Sequence, residues 1–282
     1  MPRDAAHSGP PPQSAEVRAI YLYAFVASHR LEALRPLTDA DPVLSLYRVG
    51  QIGAIFSDVP LDEFSGPQGE RNLADPDWIM PRIGHHEAVV ESAMEVSPTF
   101  PARFATLYVS LDSLGAFMRR HEAAIADFFE SVEGRQEWAF KIAVTLGTPD
   151  ELENLAMELL PGWAECPPGT RYLRLRREQA RLIEVARERA ADRMAPIVEK
   201  LLQPAMTMRL LPKSSHTPSV GPQHVQDYAL LVPANERAAL QGRFAELTTE
   251  GADSGMKLTL TGPWPPYSFR PLLEGADLQD DA

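Results

Sequence analysis

The stretch that most limits what this chain can fold into is Trp138–Thr145. Trp138, Phe140, Ile142 and Val144 alternate there with Ala139, Lys141, Ala143 and Thr145. Successive side chains of a strand point to opposite faces, so a period of two gives one apolar face and one wet face. One-sided burial is the habit of antiparallel sheets; parallel sheets are covered on both sides and read as continuous apolar runs.

The same alternation returns further along. Met206, Met208 and Leu210 alternate with Thr207 and Arg209, and Met256, Leu258 and Leu260 with Lys257, Thr259 and Thr261. Val225–Val232 reads as another strand. Helical segments fall between them at Pro149–Leu160, at Tyr172–Leu202 and at Asn235–Glu250. In the long one Leu175, Leu182, Ala186, Ala190, Ile197 and Leu201 keep helical spacing, and Pro196 is expected to kink or split it. Lys213–Gln223 reads as a polar loop. The order is β-α-β-β-α-β, the ferredoxin-like arrangement of an antiparallel sheet with helices on one face.

The first half is built differently. Val17–Ala27 is rich in β-branched and aromatic residues, as a buried strand needs. Val43–Val49 and Ile52–Ser57 follow as strands, joined by Gly50-Gln51 in a type II′ hairpin turn. Two helices come next. Pro81 is expected in the first turn of one, with Ile83, Val90 and Met94 on one face. Ser110 is expected to cap the other, with Leu111, Leu114, Met118, Ile125 and Phe129 as its apolar stripe. The fold class is therefore α+β in two domains, as the length of 282 residues also suggests. An N-terminal α/β domain takes 16–134 and a ferredoxin-like domain 135–270, with the boundary near Gly134. Residues 1–15, rich in Pro, Gly, Ser and Ala, are expected to be a disordered tail, and 271–282 a short acidic one.

Charge and composition exclude several functions. Lys and Arg number 27 against 39 Asp and Glu, a net charge of −12. Affinity for phosphate backbones comes from clustered cations, so no nucleic-acid partner is expected. The apolar run Ile20–Ala27 is far short of the ~20 residues that span a bilayer. The start of the chain lacks the apolar core of a signal peptide, so a cytoplasmic protein is expected. Cys166 is the only cysteine, which rules out an intrachain disulfide, a CxxC pair or a Cys-based zinc cluster.

Signs of catalysis are sparse. In His85-His86-Glu87 the adjacent histidines point about 100° apart on a helix, and Val90 stands where a His-Glu-x-x-His site needs its second histidine. The pair reads as solvated or capping. Neither a nucleotide-binding glycine loop nor a G-x-S-x-G elbow is present. Glu165 beside Cys166 disfavours a thiolate. No catalytic, cofactor-binding or metal-binding residue is expected, and no cofactor. Arg171–Arg193 carries eight arginines against Glu178, Glu184, Glu188 and Asp192, a net of +4. This is either a basic face for a nucleic acid or an acidic partner, or a solvated helix laced with ion pairs, and the second reading is preferred.

The most unusual segment is Leu260-Thr261-Gly262-Pro263-Trp264-Pro265-Pro266-Tyr267-Ser268-Phe269. Its prolines fix φ and remove backbone donors, so it cannot be a phosphate nest. It can be a stiff segment presenting Trp264, Tyr267 and Phe269 at little entropic cost, either to seal the two domains or to meet a partner. Arg103, next to Phe104 and after Pro101, is expected to hold its guanidinium for a carboxylate, with Glu137 across the domain boundary as the first choice. Arg103, Phe104, Trp264, Tyr267 and Phe269 are thus the candidate partner-binding or interdomain residues.

The Leu260–Phe269 segment resembles the C-terminal signature of the gas vesicle protein GvpL/GvpF family. Other pieces agree in order. Tyr21-Leu22-Tyr23 resembles the family's opening strand, and His86-Glu87 its His-Glu. Pro101-Ala102-Arg103-Phe104-Ala105-Thr106 is similar to its Pro-x-Arg-Phe-Gly-Thr, with Ala105 where the family has Gly. Glu137-Trp138 with Lys141 matches Glu-Trp-x-x-Lys, and Gly169 with Tyr172-Leu173 matches Gly-x-x-Tyr-Leu. The resemblance spans about 17–270. It implies a non-enzymatic accessory or minor structural protein, cytoplasmic and associated with gas vesicles. Its implied partners are the shell protein GvpA and other accessory proteins, its role nucleation and assembly of the shell, and its fold an α/β domain followed by a ferredoxin-like one. Two rival readings are a small-molecule-sensing ferredoxin-like regulatory module and a hydrolase using His85 or His86 with Glu87 or Glu91.

Overall fold

The computed structural model describes residues 17–39, 43–212, 223–253 and 255–274. The expected N-terminal tail, nearly all of the Lys213–Gln223 loop and the acidic end beyond Glu274 lie outside these. The described residues fall into two compact units, one within Met1–Phe129 and Leu272–Ala282, the other within Glu130–Pro271.

The first unit is a mixed sheet-and-helix structure. Its strands are β1 (Arg18–Ala27), β2 (Ser45–Val49), β3 (Ile52–Pro60), β4 (Thr99–Pro101) and β5 (Leu107–Tyr108). They lie in the order β2-β3-β1-β4, with β5 also on β1, and every pairing is antiparallel. The domain expected as α/β thus rests on an antiparallel sheet, because its helices do not link parallel neighbours. β1 is central and buried on both faces, which explains its unbroken apolar run. On one face Tyr21 and Tyr23 pack with Val89 and Ala93 of helix α2 (Pro76–Met94), which follows the short α1 (Gly66–Ala74). On the other, Phe25 stacks on Phe117 of α3 (Leu111–Arg120) with ring centroids 5.9 Å apart. Gly50 at φ 55° makes the β2–β3 turn.

Two helical expectations need correction. Pro81 is not in the first turn of α2. Asp75 caps that helix by accepting the Asp77 N–H at 3.0 Å, and Pro76 fills the first helical position. Pro81 lies inside, exposed, and the Asp77 whose carbonyl it cannot serve is exposed too. The helix expected from Ser110 onward is two: Ser110 caps α3 in a capping box, and α4 (Glu122–Val132) starts after a break at His121. Glu274 lies against that break, its backbone oxygen 3.0 Å from His121 Nε2 and its carboxylate 3.2 Å from Arg120. The acidic end is therefore anchored at its first residues.

The second unit holds β6 (Arg135–Thr145), α5 (Pro149–Leu159), α6 (Pro168–Leu201), β7 (Thr207–Leu210), β8 (Gln223–Pro233), α7 (Arg237–Asp253) and β9 (Met256–Trp264). The sheet order is β7-β8-β6-β9, again antiparallel throughout. Trp138, Phe140, Ile142 and Val144 are all buried, and they pack with Leu182, Ala186 and Ala190 of α6 and Leu240 of α7. Lys141 and Asp227, on the opposite face, form a cross-strand ion pair at 3.4 Å. α6 is assigned as one helix of 34 residues and passes through Pro196 without a split. Its buried stripe of Met194, Ile197, Val198 and Leu201 continues across the exposed proline, so packing outweighs one lost hydrogen bond. β7 differs from its alternating pattern: all four residues are exposed, because it is a short edge strand.

Phe140 is 1% exposed at the centre of this core. Phe140→Ala is expected to cost about 3–5 kcal/mol, read as a lower urea midpoint with little change in slope.

Candidate functional site

The residues singled out by sequence gather in two places, one in each unit. In the first, Arg103 begins a tight turn in which its carbonyl accepts the Thr106 N–H at 3.2 Å and the Thr106 hydroxyl at 2.8 Å. Ala105, the third residue of that turn, has φ 63°. A type II turn demands positive φ there and normally takes glycine. The chain accepts an alanine in the left-handed region there at a cost of about 1–2 kcal/mol.

The turn is held by a chain of hydrogen bonds with a fixed direction. The Ala105 N–H donates to the Tyr21 hydroxyl at 3.3 Å. The Tyr21 hydroxyl lies 2.9 Å from His86 Nδ1, and His86 Nε2 lies 3.2 Å from the Ala102 carbonyl oxygen. A carbonyl only accepts, so Nε2 carries the proton; in the neutral ring Nδ1 then accepts, and Tyr21 donates to it. Burial pushes the Tyr21 phenol well above its ordinary range, against the pull of the Ala105 N–H. Tyr23, also raised by burial, bonds the Ser57 hydroxyl at 3.1 Å. His86 is fully buried, so the solvated or capping role expected for it from sequence is corrected: the Tyr21 hydroxyl of β1 and the Ala102 carbonyl supply the partners that an internal histidine needs. Phe104 packs edge-on to Tyr21 and His86, while Arg103 itself is exposed. A cavity of about 370 Å³ lies beside the network, between Tyr21, Tyr23, Phe64, Glu63 and Arg82.

In the second unit the aromatic–proline segment closes on Glu137. The carboxylate of Glu137 is buried and accepts from the Ser268 N–H at 3.0 Å and the Ser268 hydroxyl at 2.6 Å. Burial pushes this carboxyl above its ordinary range, opposed by the two Ser268 bonds and by the charges of Arg209 and Arg270. Arg209 of β7 donates to the Ser268 carbonyl, and its guanidinium sits 5.4 Å from the Phe269 ring centroid. Arg270 lies equally far, 5.4 Å, over Tyr267. The segment thus runs from β9 past β6 to β7. It starts at Gly262, with φ 143°, where an added Cβ would lie 3.0 Å from the Glu137 carbonyl oxygen and 3.1 Å from the Trp138 ring. Only glycine fits that approach.

The three aromatics therefore have separate environments. Tyr267 and Phe269 are half-buried under arginines of their own unit, an arrangement not considered in the sequence reading. Trp264 is 45% exposed and only its Nε1 is tied, to Thr261 Oγ1 at 3.2 Å. Sequence reasoning missed Ser268, Arg209 and Arg270. Of these, only Arg209 left a trace, as the charge between Met208 and Leu210. Among the described residues no cluster of three His, Cys, Asp or Glu side chains is arranged to hold a metal ion, and no helix is long and apolar enough to cross a membrane.

A model of the family described as gas vesicle synthesis protein GvpL/GvpF matches residues 19–271, which takes in both of these places. The chain belongs to the GvpL/GvpF family. It is similar to gas vesicle protein L of a Streptomyces species, with 27% identity over 81% of this chain and 84% of the relative. Gas vesicle protein L1 of Halobacterium salinarum is 26% identical over 66% of this chain and 69% of its own. The fold matches the crystal structure of GvpF from Anabaena sp. PCC7120 with a TM-score of 0.62 at 14% identity, covering 90% of this chain and 97% of that one. GvpF from Microcystis aeruginosa matches with a TM-score of 0.60 at 13% identity, over 90% and 99%. The Arg103–Thr106 turn, His86 and the Leu260–Phe269 segment, all inside the matched residues, are the parts of this chain that build the two networks.

Ala105→Gly is expected to raise stability by about 0.5–1 kcal/mol, since relief of the left-handed strain outweighs the added unfolded-state entropy. Thermal unfolding should then shift upward by a few degrees. For Glu137 the sign follows from its raised folded pKa: its contribution is fully present below the ordinary carboxylate range and is lost as pH rises through the raised value. The melting-temperature difference between the native chain and Glu137→Gln should accordingly favour the native chain most at low pH, shrink on raising pH, and level off above it.

Proposed function

We propose that this protein is an accessory or minor structural protein of gas vesicles, one that binds GvpA and assists nucleation and assembly of the shell without doing covalent chemistry. On this reading it works in the cytoplasm at the growing vesicle, among other accessory proteins. Its second unit is read as a ferredoxin-like domain beginning near Gly134, because the strands that come second, third, first and fourth in that unit lie side by side in that order.

The observation that carries the reading is the edge at β7, which has no strand on its outer side among the described residues. Its four residues are exposed, with Leu210 at 60%. A subunit of a gas-filled shell has to hide apolar surface and strand edges until it is incorporated, or it aggregates. An exposed edge strand with apolar side chains offers such a subunit backbone pairing and side-chain cover at once. The charge of −12 keeps the complex soluble by repulsion. Trp264 is the aromatic best placed to meet a partner, and Arg103 and Phe104 are secondary candidates.

Co-purification from cells expressing both proteins tests this. GvpA should be recovered with the native chain, and about tenfold less with Leu210→Lys, whose charge blocks edge pairing while leaving the melting temperature unchanged. Trp264→Ala should weaken recovery further. Failure to recover GvpA with the native chain, together with normal vesicles after deletion of the gene, would sink the proposal.

A further inference from the structure

The arginine-rich stretch is left unused by the GvpA reading, and its geometry is unlike that of a plain solvated helix. Leu182 is the first buried residue of α6, so the turns before it contribute nothing fully buried to the core. This part is about 21 Å long at 1.5 Å per residue. It is nonetheless held in place. Arg171 and Arg174 bracket Trp163 at 5.9 and 5.8 Å, and they donate to the backbone oxygens of Trp163 and Pro161, each at 3.2 Å. These two arginines are spent on anchoring the helix.

The remaining ones face outward together. Leu173, Arg176, Arg177, Ala180 and Arg181 are spaced i, i+3, i+4, i+7 and i+8, which is one face of a helix, and all five are exposed. Leu173 is 68% exposed and its neighbour Tyr172 63%. Glu178 approaches Arg177 only to 3.9 Å and Arg181 only to 3.8 Å, and the arginine side chains stay 85% and 65% accessible. Arg176 has no ion pair among the described residues. Beyond Arg181 the exposed face turns acidic with Glu184 and Glu188, so the basic patch has a defined end.

We propose that this face, Tyr172–Arg181, docks an acidic amphipathic helix of a protein partner. Leu173 and Ala180 form an apolar seam: leucine gives a knob and alanine lets a second helix come close. Arg176, Arg177 and Arg181 flank the seam and pair with glutamates or aspartates beside the partner's own apolar stripe. Charge selects this occupant over an extended polyanion. The patch is about two Debye lengths long at physiological salt, enough to attract a short acidic segment. A nucleic-acid duplex or an anionic membrane extends past the patch and meets the rest of a chain whose total charge is −12.

The test uses the full chain and a fluorescein-labelled peptide of about three heptads, with leucine on one face and glutamate on its flanks, followed by fluorescence anisotropy. The peptide should bind with salt-sensitive affinity. Arg176→Glu with Arg177→Glu should weaken binding about tenfold or more, and Arg176→Gln with Arg177→Gln by less, since it removes charge without adding repulsion. Leu173→Ser should weaken binding while leaving the salt dependence unchanged. A peptide of the same composition with scrambled leucines should bind less well. Circular dichroism checks that these exposed substitutions leave the fold intact. The proposal is overturned if the peptide fails to bind, if the variants bind it equally well, or if a 20-base-pair duplex or phosphatidylserine vesicles bind more tightly than the peptide.

Discussion

One-sided burial along β6 governs the second unit. The strand is paired on both sides, with β8 and β9, and its four large apolar side chains sit under α6 and α7. Because the side-chain period is two, a slip of one residue would turn all four into solvent and bring Lys141 into the core. Register, helix placement and the position of Glu137 all follow from that one requirement. Glu137 belongs to the face opposite Phe140, which is where the aromatic–proline segment finds it.

The first unit solves a different problem. β1 is covered on both faces, so polar atoms on it need internal partners. Tyr21 meets this demand by taking one hydrogen bond and giving another, and so joins the central strand, a buried histidine of α2 and the turn at Ala105. The turn's left-handed residue is tolerated because the Ala105 N–H is needed at that spot and the phenol is there to receive it. A local rule is broken where several tertiary contacts agree on the result.

Much of this was legible from residues alone, and the limits are physical. The longer strands of both sheets announced themselves through alternation or dense β-branched and aromatic content, whereas β4 and β5, three and two residues long, carry no such pattern, and Ser110 marks a helix start by a chemistry that is local. Pro81 and Pro196 misled because a proline's cost is judged against packing that sequence does not display. His86 was misread because the hydroxyl that receives it comes from a strand 65 residues earlier in the chain. Of the candidate residues, Arg103 and Phe104 lie in the strained turn, and Trp264, Tyr267 and Phe269 in the closing segment. The contact of Arg209 with Ser268 and Phe269 depended on β7 and β9 standing at opposite edges of one sheet, which no spacing reveals.

That last placement carries a mechanical meaning. The outermost strand of a sheet is normally the first to fray, since it has one neighbour only. Here β7 is also gripped at Arg209 by a strap that begins at the far edge and is pinned midway at Glu137. Peeling β7 away requires the strap to be undone first, so the sheet resists unzipping from the side it leaves open to others.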